Sequence, residues 1–177
     1  LVHIRNYQVT ADPNADYTKA EVKTAISLCI TGKKTAKNLQ AVLLLNGREV
    51  KGELKQLRAG DTTTLNLGYT LNHPMLWSAE KPNLYPFSVE LRDAKNNIIE
   101  HFDYHLGVKK VEVIGEVFKI NGKNVKLRGV NRHDHHPKTG RYVDNATYEE
   151  DIRLMKQANI NFLRTSHYPD REYLYEL

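Results

Sequence analysis

The local pattern of the chain changes near Gly107, and this change constrains the fold more than any other feature. Before it, short runs of β-branched and aliphatic residues alternate with turn-forming residues. Seven candidate strands lie there: Val2–Thr10, Glu21–Thr31, Leu39–Leu45, Glu49–Leu57, Thr62–Tyr69, Leu84–Leu91 and Ile98–Leu106. Asn46-Gly47 indicates a type I′ hairpin turn, because both of its central residues need positive φ. The pattern predicts an immunoglobulin-like β-sandwich over residues 1–107.

After Gly107 strands alternate with helices. Val117–Ile120 and Val125–Leu127 flank an Asn121-Gly122 turn, which predicts a small hairpin leading into the strand Leu127–Asn131. A helix, the strand Ile160–Arg164 and the start of a second helix follow. Strand, loop and helix in this order are typical of parallel βα units. Only two such units are present in residues 108–177, so we expect an unfinished sheet.

The first of these helices has recognisable start and end signals. Thr147 with Glu150 three residues later indicates a capping box, which satisfies backbone donors that the first turn leaves unpaired. Tyr148, Ile152 and Met155 form one apolar stripe at helical spacing. The helix is expected to end near Asn159.

Charge and hydropathy exclude two classes of function. The formal net charge of +5 is spread thinly, at +2 in residues 1–107 and +3 in residues 108–177. A nucleic-acid-binding protein more often carries a concentrated basic stripe with interleaved aromatic residues, so we expect no nucleic-acid partner. The longest aliphatic run, Ala41–Leu45, is far shorter than the roughly 18 apolar residues of a membrane span, so we expect no membrane partner.

The ends and the single cysteine bear on the origin of the chain. Residue 1 is Leu rather than Met, and the last residues, 172–177, begin a helix without a stop signal, so we expect both ends to be cut.

Cys29 cannot form an intrachain disulfide, which excludes a disulfide-stabilised secreted scaffold. It is expected to be a small buried strand residue. We expect a cytoplasmic location.

Polar residues are concentrated after the two strands of residues 108–177. The segment 131–137 follows the first strand, and the segment 164–169 follows the second. Active sites of (β/α)₈ barrels are built from loops at the carboxyl ends of strands. Histidine, arginine and asparagine in these loops are suited to binding a polyhydroxylated ligand and to stabilising developing charge.

Other chemistries receive less support from the same residues. A metal could be shared by His133 with His135, or by Asp134 with His136, because neighbours in an extended segment point to opposite sides. Ser166 beside His167 lacks a nucleophile-elbow motif. The carboxylates that could form an acid/base pair lie in helical segments instead of at strand ends: Glu149, Glu150, Glu172 and Glu176. His101 and His105 are expected to be surface or core-edge strand residues instead of ligands.

Three strings resemble the β-galactosidases of glycoside hydrolase family 2. They are Arg128-Gly-Val-Asn-Arg-His-Asp-His-His-Pro137, Asp151-Ile-Arg-Leu-Met-Lys-Gln157 and Asn161-Phe-Leu-Arg-Thr-Ser-His-Tyr-Pro169. The segment 76–85 also resembles the region of the family's immunoglobulin-like domain before its last strands. The resemblance implies that residues 108–177 are the N-terminal part of a TIM-barrel catalytic domain. The β-glucuronidases and β-mannosidases of the family lack the histidine-rich run.

The resemblance also implies roles for individual residues. His133 and His167 match two histidines that contact the galactosyl unit and stabilise its transition state. Arg164 matches the arginine that orients the nucleophilic carboxylate, whereas Asn131 and Arg132 match positions that support the active site. Asp134 departs from the family, since many relatives have Glu there.

The implied whole protein is a retaining hydrolase of terminal β-D-galactose residues, in lactose-type substrates, and a homo-oligomer. Its acid/base and nucleophile glutamates, and the ligands of Mg²⁺ and possibly Na⁺, are expected beyond Leu177, so residues 1–177 alone should be inactive. We also expect the isolated chain either to self-associate through apolar strand residues of 117–177 or to be loosely ordered there. Two alternatives are a non-catalytic β-sandwich module that binds carbohydrate or a partner chain, and a metal-dependent hydrolase.

Overall fold

A computed structural model describes residues 1–177 and divides them into two compact units. The first unit comprises Leu1–Val113 with Lys119–Lys123, and the second comprises Ile114–Phe118 with Asn124–Leu177. Each unit contains a cluster of buried apolar side chains. Removal of such side chains from water is the main favourable contribution to folding.

Seven strands build the first unit: β1 (Val2–Pro13), β2 (Lys19–Ile30), β3 (Ala36–Leu45), β4 (Arg48–Leu57), β5 (Thr62–Asn72), β6 (Tyr85–Arg92) and β7 (Ile98–Leu106). They form one sheet in the order β1-β2-β5 and another in the order β4-β3-β6-β7. In β2 every second residue from Ala20 to Ile30 is buried, because successive strand side chains point to opposite faces. The predicted strands and the sandwich are confirmed.

Positive φ angles fix the predicted hairpin turns. Asn46 and Gly47 have φ of 52° and 72°, and Asn121 and Gly122 have φ of 50° and 73°. The second turn joins β9 (Val117–Ile120) to β10 (Lys123–Asn124), in a small sheet with β8 (Val111–Ile114). The prediction that Val125–Leu127 forms the returning strand is wrong, because a two-residue turn places Lys123 directly in the ladder.

The second unit contains β11 (Gly129–Arg132), α1 (Asn145–Gln157), β12 (Phe162–Thr165) and α2 (Glu172–Glu176). Strands β11 and β12 pair in parallel with Gly129 opposite Phe162 and Arg132 opposite Thr165. This confirms the predicted βα pattern. Neither helix is long and apolar enough to cross a membrane.

Helix α1 begins earlier than its sequence signals suggest. The N-cap residue is Asp144, whose Oδ1 accepts hydrogen bonds from the Thr147 backbone N–H at 2.9 Å and from Thr147 Oγ1 at 2.7 Å. Glu150 bonds to Arg153 instead of closing a capping box. The predicted capping box is therefore wrong. The predicted end is confirmed, since the helix ends at Gln157 and Asn159 has a φ of 54°.

Two predictions about the sandwich side chains have different outcomes. Cys29 is only half-buried rather than buried, and its Sγ lies 3.0 Å from His3 Nε2 on the neighbouring strand. The two histidines at 101 and 105 are exposed on β7, as expected.

Gly129 allows the close approach of β11 and β12. A Cβ atom there would lie 2.6 Å from Phe162 Cδ1 and 3.0 Å from the Phe162 carbonyl oxygen, so the strands would have to separate. Gly129→Ala is expected to lower the free energy of unfolding by about 1 to 3 kcal/mol, measured by urea denaturation. Gly68→Ala in β5 is the control, because the nearest atom to its Cβ would be 3.9 Å away. Equal losses in the two variants would contradict the steric argument.

Candidate functional site

The parallel pairing of β11 and β12 places their carboxyl ends side by side. Asn131 lies opposite Arg164 in the register, so the two polar loops leave the sheet at the same edge. The first loop begins with His133, and the second contains His167. The side chains of the predicted site residues Asn131, His133, Arg164 and His167 therefore extend from adjacent strand ends, and all four residues are exposed.

The two histidines are in edge-to-face contact. The ring centroids of His133 and His167 are 5.5 Å apart with an interplanar angle of 79°. The ring of His135 lies 5.7 Å from that of His133, and the ring of Tyr168 lies 6.1 Å from it. Imidazole nitrogens can donate or accept hydrogen bonds, so this group of rings presents several polar edges at one place.

Arg164 is held by its own loop. Its Nη2 lies 3.1 Å from His167 Nδ1, and its Nη1 donates to Ser166 Oγ at 3.5 Å. Ser166 is buried, and its backbone N–H donates to the Arg132 carbonyl oxygen at 2.8 Å. The structure therefore places the Ser166 hydroxyl against Arg164, and the backbone N–H of Ser166 anchors the second loop to the end of β11.

Arg132 lies beneath the loops and is 7% exposed. Its Nε donates to Asp151 Oδ2 at 2.9 Å, and its Nη1 donates to Asp134 Oδ1 at 2.6 Å and lies 3.5 Å from Asp170 Oδ2. The guanidinium also stacks on the ring of Tyr148, 4.4 Å from its centroid. Arg132 thus connects carboxylates from the first loop, from α1 and from the segment after β12.

Tyr148 completes this buried network. It is 1% exposed, and its hydroxyl lies 2.9 Å from Asp134 Oδ1 and 3.0 Å from Asp170 Oδ1. Burial and hydrogen bonds to these carboxylates raise the pKa of Tyr148, so its hydroxyl remains a donor at neutral pH. Burial alone would raise the pKa of Asp134, but hydrogen bonds from Arg132 and Tyr148 outweigh it and hold that pKa below its ordinary value.

The sequence did not predict this network. It assigned Tyr148 to an apolar stripe and did not single out Asp170. One signal was present, because Arg132 and Asp134 are two residues apart in an extended segment and so lie on the same side. A second was the tyrosine itself, since a buried tyrosine hydroxyl usually needs a partner.

The side chains that could bind a metal ion are not grouped around one point. No group of three His, Cys, Asp or Glu side chains in residues 1–177 is placed to hold one ion. Asp134 and Asp151 bind Arg132, and the imidazole Nδ1 of His136 is within hydrogen-bond distance of Thr139 Oγ1 at 3.0 Å. These residues therefore provide no group of three ligands for the metal-dependent hydrolase alternative.

Comparison with known proteins covers both units. The model of glycosyl hydrolases family 2 matches residues 2–109, and that of the family 2 TIM barrel domain matches residues 111–177. A β-galactosidase of Yersinia enterocolitica is 36% identical over 99% of this chain, and one of Pseudoalteromonas haloplanktis is 36% identical over 98%. The chain spans only 18% and 17% of the lengths of these two relatives.

Solved structures share the fold. A β-glucuronidase of Bacteroides uniformis superposes with a TM-score of 0.86 at 24% identity, and the match covers 99% of this chain and 22% of that one. A β-galacturonidase of Eisenbergiella tayi has a TM-score of 0.86 at 20% identity, over 99% of this chain and 31% of that one. At these identities the likeness concerns the fold alone. The matches to the two family models, which together span nearly all of residues 1–177, show that the chain belongs to glycosyl hydrolase family 2.

Proposed function

We propose that residues 1–177 form the sandwich and the first barrel strands of a longer β-galactosidase, which hydrolyses terminal β-D-galactose residues with retention of configuration. The observation that carries the proposal is the His133–His167 pair beside Arg164 at the carboxyl ends of β11 and β12. Support comes from the names of the full-length relatives. The expected homo-oligomer and the self-association of the isolated chain stay predictions.

The exposed side chains would bind and orient the sugar. The imidazoles of His133 and His167 would hydrogen-bond the hydroxyl groups of a galactosyl unit between them. The network of Arg132 and Tyr148 fixes the loops before the sugar binds. The hydrogen bonds to the sugar would strengthen as charge develops on it, and the loops would not need to rearrange during the reaction. Arg164, held by His167 and Ser166, would direct its guanidinium at a carboxylate of the complete barrel.

The bond-breaking step needs groups that these residues do not supply. A retaining glycosidase uses two carboxyl groups about 5 to 5.5 Å apart, one as acid/base and one as nucleophile. The carboxylates of Asp134 and Asp151 are committed to Arg132, and Glu150 pairs with Arg153. The catalytic carboxylates would therefore come from other strands of the barrel.

Activity assays on two proteins test the proposal. The complete protein is expected to cleave a chromogenic β-galactoside faster than the matched β-glucuronide and β-mannoside, and NMR of the first product is expected to show the β-anomer. The polypeptide of residues 1–177 alone is expected to remain at background. Preference for another glycoside, or inversion at the anomeric carbon, would contradict the proposed function. Cleavage by residues 1–177 alone would contradict the assignment of the catalytic carboxylates.

A further inference from the structure

One buried hydroxyl group contacts both loops of the site. Tyr148, on α1, contacts Asp134 in the loop after β11 and Asp170 in the segment after β12. We propose that Tyr148 and Asp170 are positioning residues that hold Asp134, and through it His133, at the place where the sugar binds. This inference rests on the proposed function, because it assigns His133 to sugar binding.

Asp134 links the buried network to the two histidines. It follows His133 directly in the chain, so a displacement of its backbone displaces the imidazole. Its backbone N–H donates to Tyr168 Oη at 2.8 Å, and Tyr168 follows His167 in the second loop. The hydrogen bond between Asp134 and Tyr168 therefore joins the two loops, and each of its residues directly follows one of the two histidines.

Asp170 supports Tyr148 from a position that is costly for a carboxylate. Its side chain is 1% exposed, its Oδ1 accepts from the Tyr148 hydroxyl and from the Arg171 backbone N–H, and its Oδ2 has no hydrogen-bond donor. The nearest cation is Arg132, whose Nη1 lies 3.5 Å from Oδ2 without hydrogen-bond geometry. A buried acceptor that is incompletely satisfied destabilises the fold. The contacts of Asp170 join Tyr148 and Arg132 to the segment after β12, as expected for a residue that places the second loop.

A double-mutant cycle in the complete protein separates positioning from a general structural role. Tyr148→Phe removes the hydroxyl and keeps the ring that stacks on Arg132. We expect kcat/KM to fall about tenfold, mainly through kcat, because the affected hydrogen bonds strengthen in the transition state. In a His133→Ala background the same substitution is expected to change kcat/KM less than twofold, since the group it positions is already absent.

Two further variants complete the cycle. Asp170→Asn keeps the shape of the side chain, and it is expected to give a similar loss that also disappears in the His133→Ala background. Tyr142→Phe is the matched control, because Tyr142 is 68% exposed in the loop before α1, and its kcat/KM is expected to be unchanged. A tenfold loss that persists without His133 would overturn the inference, as would a wild-type kcat/KM in Tyr148→Phe.

The test does not depend on which sugar the enzyme prefers. The cycle is measured with whichever glycoside the wild-type protein cleaves, so a preference for another sugar contradicts the proposed function and leaves the coupling measurable. A crystal structure of the complete Tyr148→Phe protein gives a readout without any substrate. The distance between the His133 and His167 ring centroids is expected to depart from 5.5 Å. If the variant shows unmoved loops, the inference is wrong.

Discussion

Replacement of Arg132 by methionine is expected to lower the free energy of unfolding by about 3 to 5 kcal/mol. Methionine fills much of the volume of arginine and removes its charge. The carboxylates of Asp134 and Asp170, which are mostly or fully buried, then lose the one cation near both of them. Removal of one partner of a buried ion pair costs much more than the intact pair contributes, because the remaining charge stays away from water.

The size of this effect is checked against an exposed ion pair. Arg153 bonds to Glu150 one turn away on α1, but both side chains are 53% exposed. Arg153→Met is expected to cost less than about 0.5 kcal/mol, since surface pairs contribute little. Urea denaturation gives both values, and hydrogen exchange is expected to show that the Arg132→Met loss is confined to the amides of β11, α1 and β12. Similar losses in the two variants would mean that Arg132 does not hold the second unit together.

The strands were predictable because local signals determine them. Asn46-Gly47 allows a tight hairpin by adopting positive φ at both positions, and the apolar alternation of β2 places one face in the core. The parallel units were predictable for a similar reason, since a helix between two short apolar strands favours a crossover connection. These elements depend on residues close together in the chain.

The helix start and the buried network were not predictable in this way. Thr147 and Asp144 are both good capping residues, and the choice between them depends on where the preceding loop meets the helix. Asp170 contacts Tyr148 across 22 positions and Arg132 across 38, so no local pattern reports either contact. The resemblance gave Arg132 a supporting role at the active site without saying how it acts, whereas the fold makes it the buried cation beneath the site.

His133→Ala and His167→Ala are each expected to lower the kcat/KM of the complete enzyme about 10²- to 10³-fold. This is the effect of removing one preorganised hydrogen-bonding group that acts on developing charge in a transition state. Both imidazoles are exposed, and the ring hydrogen bond of His167 reaches only Arg164 Nη2, three residues away in the same segment. The losses are therefore expected in steady-state kinetics with a chromogenic β-galactoside, and the melting temperatures are expected to stay near that of the wild type.

The comparison that decides the roles of these histidines uses a third one. His105 is exposed on β7 in the sandwich, so His105→Ala removes the same group at a site with no assigned role, and its kcat/KM is expected to be unchanged. Because His133 and His167 contact each other and would bind one sugar, their effects should not add, and the double variant should lose much less than the product of the single losses. Strictly multiplicative losses would mean that the two rings act independently, which would contradict the coupling expected from their contact.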